Sequence, residues 1–390
     1  MRSQTLDNLY LLLYNYLKMK FTKDYSACID IGSSKIVAIL GEKGINNTFI
    51  IRAYSELNYS GFSEGEFFDA SELESVVLKS IENIRLRSKA ELSEIYIGCP
   101  GEFTSAVSKH HQLSFIKKHK INAADVKDLF DNANTNTDKN YILINKSPIY
   151  YYTDDKRKII NPLGILSSSL GGFLSYIFAE KYFIDAISNI FKKTGYKFSF
   201  ISSALAQALF LFEEEERDRI ILLCDIGYIS SSVMLVQGDG LIFLKSFSMG
   251  GGHITAKITQ DYKIPFAAAE NIKRLVNLSL DLRESGGNYD IVYDEKNYNL
   301  AKKEVNESVI SVTDAICELI EGSLNEFSVN IPQNLTLYLT GGGVCYMRGA
   351  KELISKRLNR VTEIIKPNAP LLKKPTAGSF LGLLSLTLYK

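Results

Sequence analysis

The chain of 390 residues contains no tryptophan, eight prolines, four histidines and five cysteines. Cys28, Cys99, Cys224, Cys317 and Cys345 form no Cys-x-x-Cys and no paired spacing. That pattern excludes a disulfide framework and suits a reducing compartment, where a thiol acts as a small buried hydrophobe. His110 and His111 are adjacent and point differently on any regular element, so the histidines supply no zinc-like ligand set. A formal net charge of +1 lacks the basic excess of a generic nucleic-acid binder, and nucleic acid is not an expected partner. No apolar run reaches the ~20 residues that span a bilayer. The N-terminus also lacks the basic stretch, uninterrupted apolar run and small-residue cleavage site of a secretory leader.

What is present is a hydrophobic content of 46%, enough for a sizeable core. The length accommodates two or three domains of roughly 100–200 residues each. Two short turns stand out. Cys28-Ile29-Asp30-Ile31-Gly32-Ser33-Ser34-Lys35 leads into the apolar run Ile36 to Leu40, and Cys224-Asp225-Ile226-Gly227-Tyr228-Ile229-Ser230-Ser231-Ser232 leads into Val233 to Val236. Each turn joins β-prone runs through an Asp, a Gly and several hydroxyls. Glycine lets a backbone approach a polyanion closely, and consecutive N–H groups form an anion-binding concavity. The carboxylate cannot face phosphate directly, but it can hold a hydrated Mg²⁺ that does. Two such turns on two half-molecules would grip a nucleoside triphosphate from opposite sides. Both belong to the same order of strand, Asp-x-Gly turn, strand, glycine turn, strand, which reads as an internal duplication.

Between the meanders, Ser71 with Glu74 three residues on reads as a capped helix start, with Val76, Val77, Ile81 and Ile84 as its apolar face. From about Leu92 to Ala179 the elements read as short. Strands are expected at Tyr141 to Asn145, Pro148 to Thr153 and around Phe173 to Ala179. Asn132 to Asp138 reads as a polar loop, Asn161-Pro162-Leu163-Gly164 as a turn, and Gly171-Gly172 as a break. This stretch is an α+β module inserted into the first half. Helices follow at Lys181 to Lys193 and Ser202 to Phe212, and the run Glu213 to Arg219 reads as a solvated helix end. Late in the chain a hairpin is expected near Tyr289 to Ala301, a helix from about Ile310 to Leu324, and a strand from Leu335 to Leu339. At the N-terminus Leu6, Leu9, Leu13, Tyr16 and Leu17 fall at helical spacing. That segment reads as a docked or frayed helix, a stretch upstream of a start at Met19, or a lipid-surface helix with few basic residues.

Two further pieces carry chemistry. Thr340-Gly341-Gly342-Gly343, between a strand and a helix expected from Arg348, lets a flat ligand approach bare backbone near a helix N-terminus, or serves as a plain connecting loop. Glu270 and Lys273 share one helix face, where they clamp a ribose and a base edge or form a surface ion pair. Lys35 either contacts phosphate or sits as an exposed strand-edge lysine.

With these pieces in order, the chain resembles the actin, heat-shock chaperone and sugar-kinase superfamily, and within it the bacterial cell-division FtsA family. Asp30-Ile31-Gly32-Ser33-Ser34-Lys35 is similar to that family's first phosphate motif, Asp225-Ile226-Gly227 to the second, and Ala269-Glu270-Asn271-Ile272-Lys273 to its A-E-x-I-K helix. Leu339 to Gly343 resembles its adenosine loop, and Asn161-Pro162-Leu163-Gly164 a turn of the FtsA-specific insertion. The resemblance implies an α/β, actin-like, duplicated two-lobe ATPase fold with a small α+β subdomain inserted in the first lobe. Its parts would be an N-terminal extension (1–26), first-lobe core (27–91 and 180–219), inserted subdomain (92–179), second lobe (220–370, with a small outer subdomain at about 255–330) and a helix returning to the first lobe (371–390). It implies ATP with Mg²⁺ as ligand. Nucleotide contacts would come from Asp30, Gly32, Ser33, Ser34, Lys35, Asp225, Gly227, Ser230, Glu270, Lys273, Gly341, Gly342 and Gly343, with Asp30 and Asp225 holding the metal through water. The implied partners are further copies of itself in a filament, the FtsZ C-terminal tail, other division proteins and the inner membrane surface.

The chain departs from the family where Tyr228, Ile229 and Ser232 replace small polar residues and an Asp, and where Ser203 stands in place of a helix-start carboxylate. Both changes favour binding over hydrolysis. The sequence stops at Thr387-Leu388-Tyr389-Lys390 without the family's basic amphipathic tail, so membrane contact falls to the N-terminal segment or to a partner. The alternatives are an ATP-binding platform for a membrane complex, like the pilus protein PilM, and a sugar-kinase-type enzyme.

Overall fold

The computed structural model describes residues 25–389 except 46–47, 91, 135–137, 280–285, 328–330 and 370–371. The readings placed on the N-terminal Leu/Tyr-rich segment therefore lie outside the described residues. In chain order, β1 (Tyr25–Ile31), β2 (Lys35–Lys43) and β3 (Phe49–Asn58) form the first meander. Next come the small hairpin β4 (Phe62–Ser63) and β5 (Glu66–Phe67), α1 (Ala70–Ser88) and β6 (Glu94–Cys99). Then follow β7 (Thr104–Lys120), α2 (Ala123–Ala133), β8 (Tyr141–Tyr152), β9 (Lys158–Ile159), β10 (Leu166–Glu180), α3 (Lys181–Phe191), β11 (Lys197–Ser202), α4 (Ser203–Leu211) and the single turn α5 (Glu214–Arg217).

The second meander is β12 (Ile221–Ile226), β13 (Ser231–Gln237) and β14 (Gly240–Phe247), followed by α6 (Gly251–Tyr262) and α7 (Phe266–Leu275). A hairpin of β15 (Asn288–Tyr293) and β16 (Lys296–Ala301) precedes α8 (Lys302–Asn325), β17 (Leu337–Thr340), α9 (Ala350–Arg357), β18 (Thr362–Ile364) and α10 (Gly378–Leu388).

The duplication is visible in the sheets. One five-stranded sheet has the order β11-β6-β1-β2-β3 and the other β14-β13-β12-β17-β18. In each, the meander is antiparallel and the first strand of the meander pairs in parallel with the next strand of the sheet. Register places the two aspartates alike. Asp30 lies opposite Val37 and beside Gly98, and Asp225 lies opposite Ser232 and beside Thr340. Their strands are buried on both faces and read as continuous apolar runs, as parallel-sheet strands do. Each sheet has its own apolar core, and a third cluster joins Cys28, Val37 and Ile39 to Phe380, Leu381 and Leu384 of α10.

Several local expectations are corrected. α1 is capped by Asp69 rather than Ser71, since the Asp69 carboxylate accepts from the amides of Ser71 and Glu72. Glu74 instead pairs with Lys193. The elements between 104 and 180 are long. β7 alone has 17 residues, β8 runs unbroken through Pro148, and α2 with its Asn122–Asp125 capping box extends to Ala133, into the expected polar loop. Gly171 and Gly172 sit inside β10, because a side chain at Gly171 would collide with the Tyr152 ring. The charge run is not wholly solvated: Arg217 is buried and donates to the Phe212 and Gly238 carbonyls and to Asp239. The four-stranded sheet β7-β10-β8-β9 leans on β14, where Ser175 Oγ donates to Leu241 O at 2.8 Å.

Candidate functional site

The two Asp-Gly turns close with the same bond. Gly32 N donates to Lys35 O at 2.9 Å, and Gly227 N donates to Ser230 O at 3.1 Å. They also meet each other. The Ser33 hydroxyl accepts from Ile229 N at 3.1 Å and from Ser230 N at 3.4 Å, so amides of the second turn aim at the first. Behind the turns, α4 serves both aspartates. Ser203 Oγ donates to Asp30 Oδ1 at 2.8 Å, and one helical turn later Gln207 Nε2 donates to Asp225 Oδ2 at 2.8 Å. Ser379, at the start of α10, donates to the other Asp30 oxygen. Burial pushes both carboxyls above their ordinary value. Asp225 reaches about 6, with the Asp30 charge adding to burial against the Gln207 bond.

Thr340 to Gly343 lies against the second turn. Gly343 N donates to Ile226 O at 2.7 Å, and Thr340 Oγ1 donates to Pro375 O at 3.1 Å. Gly341 has φ of +88°, and a Cβ there would collide with Asp225 Oδ1 and the Ile226 carbonyl, so both conformation and space call for glycine. The helix after this loop begins only at Ala350, later than expected. The helix start lying beside the loop is that of α6, whose Gly251 N donates to Gly227 O at 3.0 Å.

Glu270 and Lys273 on α7 are not a surface pair. Lys273 Nζ lies 2.7 Å from Glu270, donates to Gly251 O at 3.1 Å and stands 5.1 Å over the Tyr228 ring, with its side chain 8% exposed. Thr255 Oγ1 also donates to Glu270, at 2.6 Å. Burial depresses Lys273. The same burial would raise Glu270, but donation from Lys273 and Thr255 outweighs it and holds the carboxyl below its usual range. Lys35 is spoken for by Glu56 at 3.1 Å.

These elements enclose one cleft of about 1020 Å³, a volume suited to a nucleotide-sized ligand. Asp30, Gly32, Ser33, Ser34, Lys35, Asp225, Gly227, Glu270, Lys273 and Gly341 to Gly343 all line it. Ser230 does not; it faces a smaller cavity of about 120 Å³ beneath the turns. The cleft also takes in Gln207, Arg274, Tyr346, Met347, Lys374 and Ser379, none of which the motifs had singled out. The four-residue spacing of Ser203 and Gln207 was a legible sign of a shared helix face. Ser379 carried no local sign at all.

A duplicated pair of five-stranded sheets around a cleft, each presenting an Asp-Gly turn, defines an actin-like, two-lobed protein. Among solved structures, the PilM–PilN type IV pilus biogenesis complex aligns with a TM-score of 0.62 at 16% identity, covering 94% of this chain and 99% of that one. MreB5 of Spiroplasma citri, solved with AMPPNP, aligns with a TM-score of 0.53 at 12% identity over 93% and 95% of the two chains. In sequence, the model of the cell division protein FtsA family matches residues 222–382. FtsA of Staphylococcus epidermidis is 21% identical over 93% of this chain and 78% of its own length. FtsA of Borreliella burgdorferi is 21% identical over 93% and 90%. In sequence the chain is thus similar to the FtsA family, over residues 222–382 to the family model and over most of its length to individual members, and its fold is actin-like.

Proposed function

We propose that the cleft binds ATP and that the protein uses it as a structural ligand in an FtsA-type division role. The observation that carries this reading is the convergence of both Asp-Gly turns, the Gly341 to Gly343 loop and the Glu270–Lys273 pair on one cleft. The turns would receive the phosphates from opposite lobes, the glycine loop would let the nucleoside lie on backbone, and α7 would meet the ribose and base edge. The AMPPNP in the MreB5 structure supports a nucleotide in this fold.

Asp30 and Asp225 fit a hydrated Mg²⁺. Both are half-buried at the cleft wall, and the oxygens held by Ser203, Ser379 and Gln207 favour contact through water over direct ligation. When bound, the ion would neutralise phosphate charge. With Gln207 engaged on Asp225 and Ser203 on Asp30, the site is arranged to hold rather than to turn over its ligand. Nucleotide between the lobes would bias their closure. Closure in turn would set head-to-tail self-assembly, recruitment of the FtsZ tail and other division proteins, and placement at the inner membrane surface, directly or through a partner. In this reading the four-stranded sheet with α2 is the FtsA-type subdomain inserted within residues 92–179, of which β6 (Glu94–Cys99) stays in the first-lobe sheet, and α10 within 371–390 returns to the first lobe.

A platform role in a membrane complex is a second reading, favoured by the alignment with nearly the full length of the PilM–PilN structure. Titration with ATP tests the site. Asp30→Ala or Gly342→Asp should weaken affinity by roughly tenfold or more, about 1.4 kcal/mol, and unchanged curves in both would refute the assignment. Pull-down on an FtsZ tail peptide separates the two roles, since a folded sample that fails to bind would discard the division reading.

A further inference from the structure

β1 and α10 run side by side from the cleft outward. α10 starts at Ser379 beside Asp30 and ends about 16 Å further on. There Ser26 Oγ donates to Thr387 Oγ1 at 2.6 Å, the Tyr389 hydroxyl donates to Thr48 O, and Lys43 Nζ stands 5.8 Å over the Tyr389 ring. Next to this junction runs a groove of about 710 Å³ that contains Tyr389. Its floor is Leu205, Leu209 and Phe210 of α4 with Leu386 of α10, and its far wall is Ser147 and Pro148 of β8. Leu209, Phe210 and Leu386 are only half-buried. Ser147 Oγ is shielded from water and has no hydrogen-bond partner among the described residues. Glu213 and Glu214 stand exposed on the rim.

The chain itself delivers a matching segment to this place. The residues leading to Tyr25 include Leu6, Leu9, Leu13, Tyr16 and Leu17 at helical spacing, followed by Lys18, Lys20 and Lys23. The linker from 18 to 24 can reach up to about 25 Å, so the groove lies within range. So short a tether also gives an effective concentration of about millimolar.

We propose that residues 6–17 dock in cis in the α4–α10 groove, with the Leu/Tyr face on its floor and the following lysines against Glu213 and Glu214. The segment would then lie on the two helices that hold Asp30 and Asp225.

Hydrogen exchange of the full chain, compared with the full chain carrying Leu9→Asp and Leu13→Asp, tests this without lipid. Residues 205–212 and 382–389 should exchange about fivefold faster or more in the variant, while α8 stays unchanged. A full chain with Leu13→Cys and Phe210→Cys should form an intramolecular disulfide at a yield independent of protein concentration, read by peptide mass spectrometry. Equal exchange in both chains would overturn the proposal. So would cross-links only between molecules, which point to a second copy, or protection of the segment only on adding phosphatidylglycerol vesicles, which points to a lipid surface.

Discussion

The first and second Asp-Gly turns share a register and a closing hydrogen bond but differ in what surrounds them. Asp30 is held by two hydroxyls from helices far away in sequence, whereas Asp225 is held by one amide and pressed by the Gly341 loop. The first turn offers Ser33 and Ser34 to the cleft, while the second offers backbone and the Tyr228 ring that covers Lys273. Duplication therefore supplied the frame, and the two copies then diverged around one shared cleft. The strand beside Asp30 continues through Gly98 and Cys99, but the strand beside Asp225 breaks at once into glycines. The second lobe thereby places a run of three glycines, Gly341 to Gly343, at the end of the strand beside its aspartate.

That asymmetry can be broken most severely at Gly341. Gly341→Val should abolish nucleotide binding and destabilise the second lobe by about 3 kcal/mol or more, through the φ > 0 backbone and the collision with Asp225. Calorimetric titration and thermal melting would measure both.

Next in size is the buried pair beside the second turn. Lys273→Met leaves Glu270 without its main partner, at an expected cost of about 2–4 kcal/mol. Lys35→Met beside the first turn breaks a half-exposed pair and should cost less than about 1 kcal/mol. Equal losses in denaturant titrations would erase the distinction between the two sides.

Asp225→Asn probes the charge itself. Its folded pKa of about 6 lies above the unfolded value, so the folded state binds the extra proton between those values. The associated stability is present in full below about pH 4 and is lost as pH rises through about 6. The variant should lose that slope, melt higher than the parent at pH 7 without ligand, and bind ATP with Mg²⁺ roughly tenfold more weakly. A parallel fall in both melting temperature and affinity would contradict the role given to the carboxylate.

A small effect, close to that of Lys35→Met, is expected at the point where the turns touch. Ser33→Ala removes the acceptor for Ile229 N and Ser230 N and should cost about 1 kcal/mol, with faster exchange at those two amides.

Much of this was legible in the chain. Apolar runs flanking Asp-x-Gly predict the two meanders because strands buried on both faces must be continuously apolar and the turn between them needs a glycine. Other features were not. Ser71 looked like a cap, yet Asp69 reaches the free amides first. The Gly171-Gly172 pair looked like a break, yet it makes room for Tyr152 across the sheet. Arg217 sits among four glutamates, and only folding shows that carbonyls and Asp239 surround it.

The sequence by itself determined the doubled strand–turn–strand pattern, the glycines that permit close approach and the family likeness, because these depend on neighbours within a few residues. Tertiary structure alone decided that Ser203, Gln207 and Ser379 would hold the aspartates and that Lys273 would be buried against a half-buried Glu270. It also decided that Ser230 would face a separate cavity. Such relations join residues up to 349 positions apart, and no local preference encodes a contact that exists only once two lobes and the last helix have packed together.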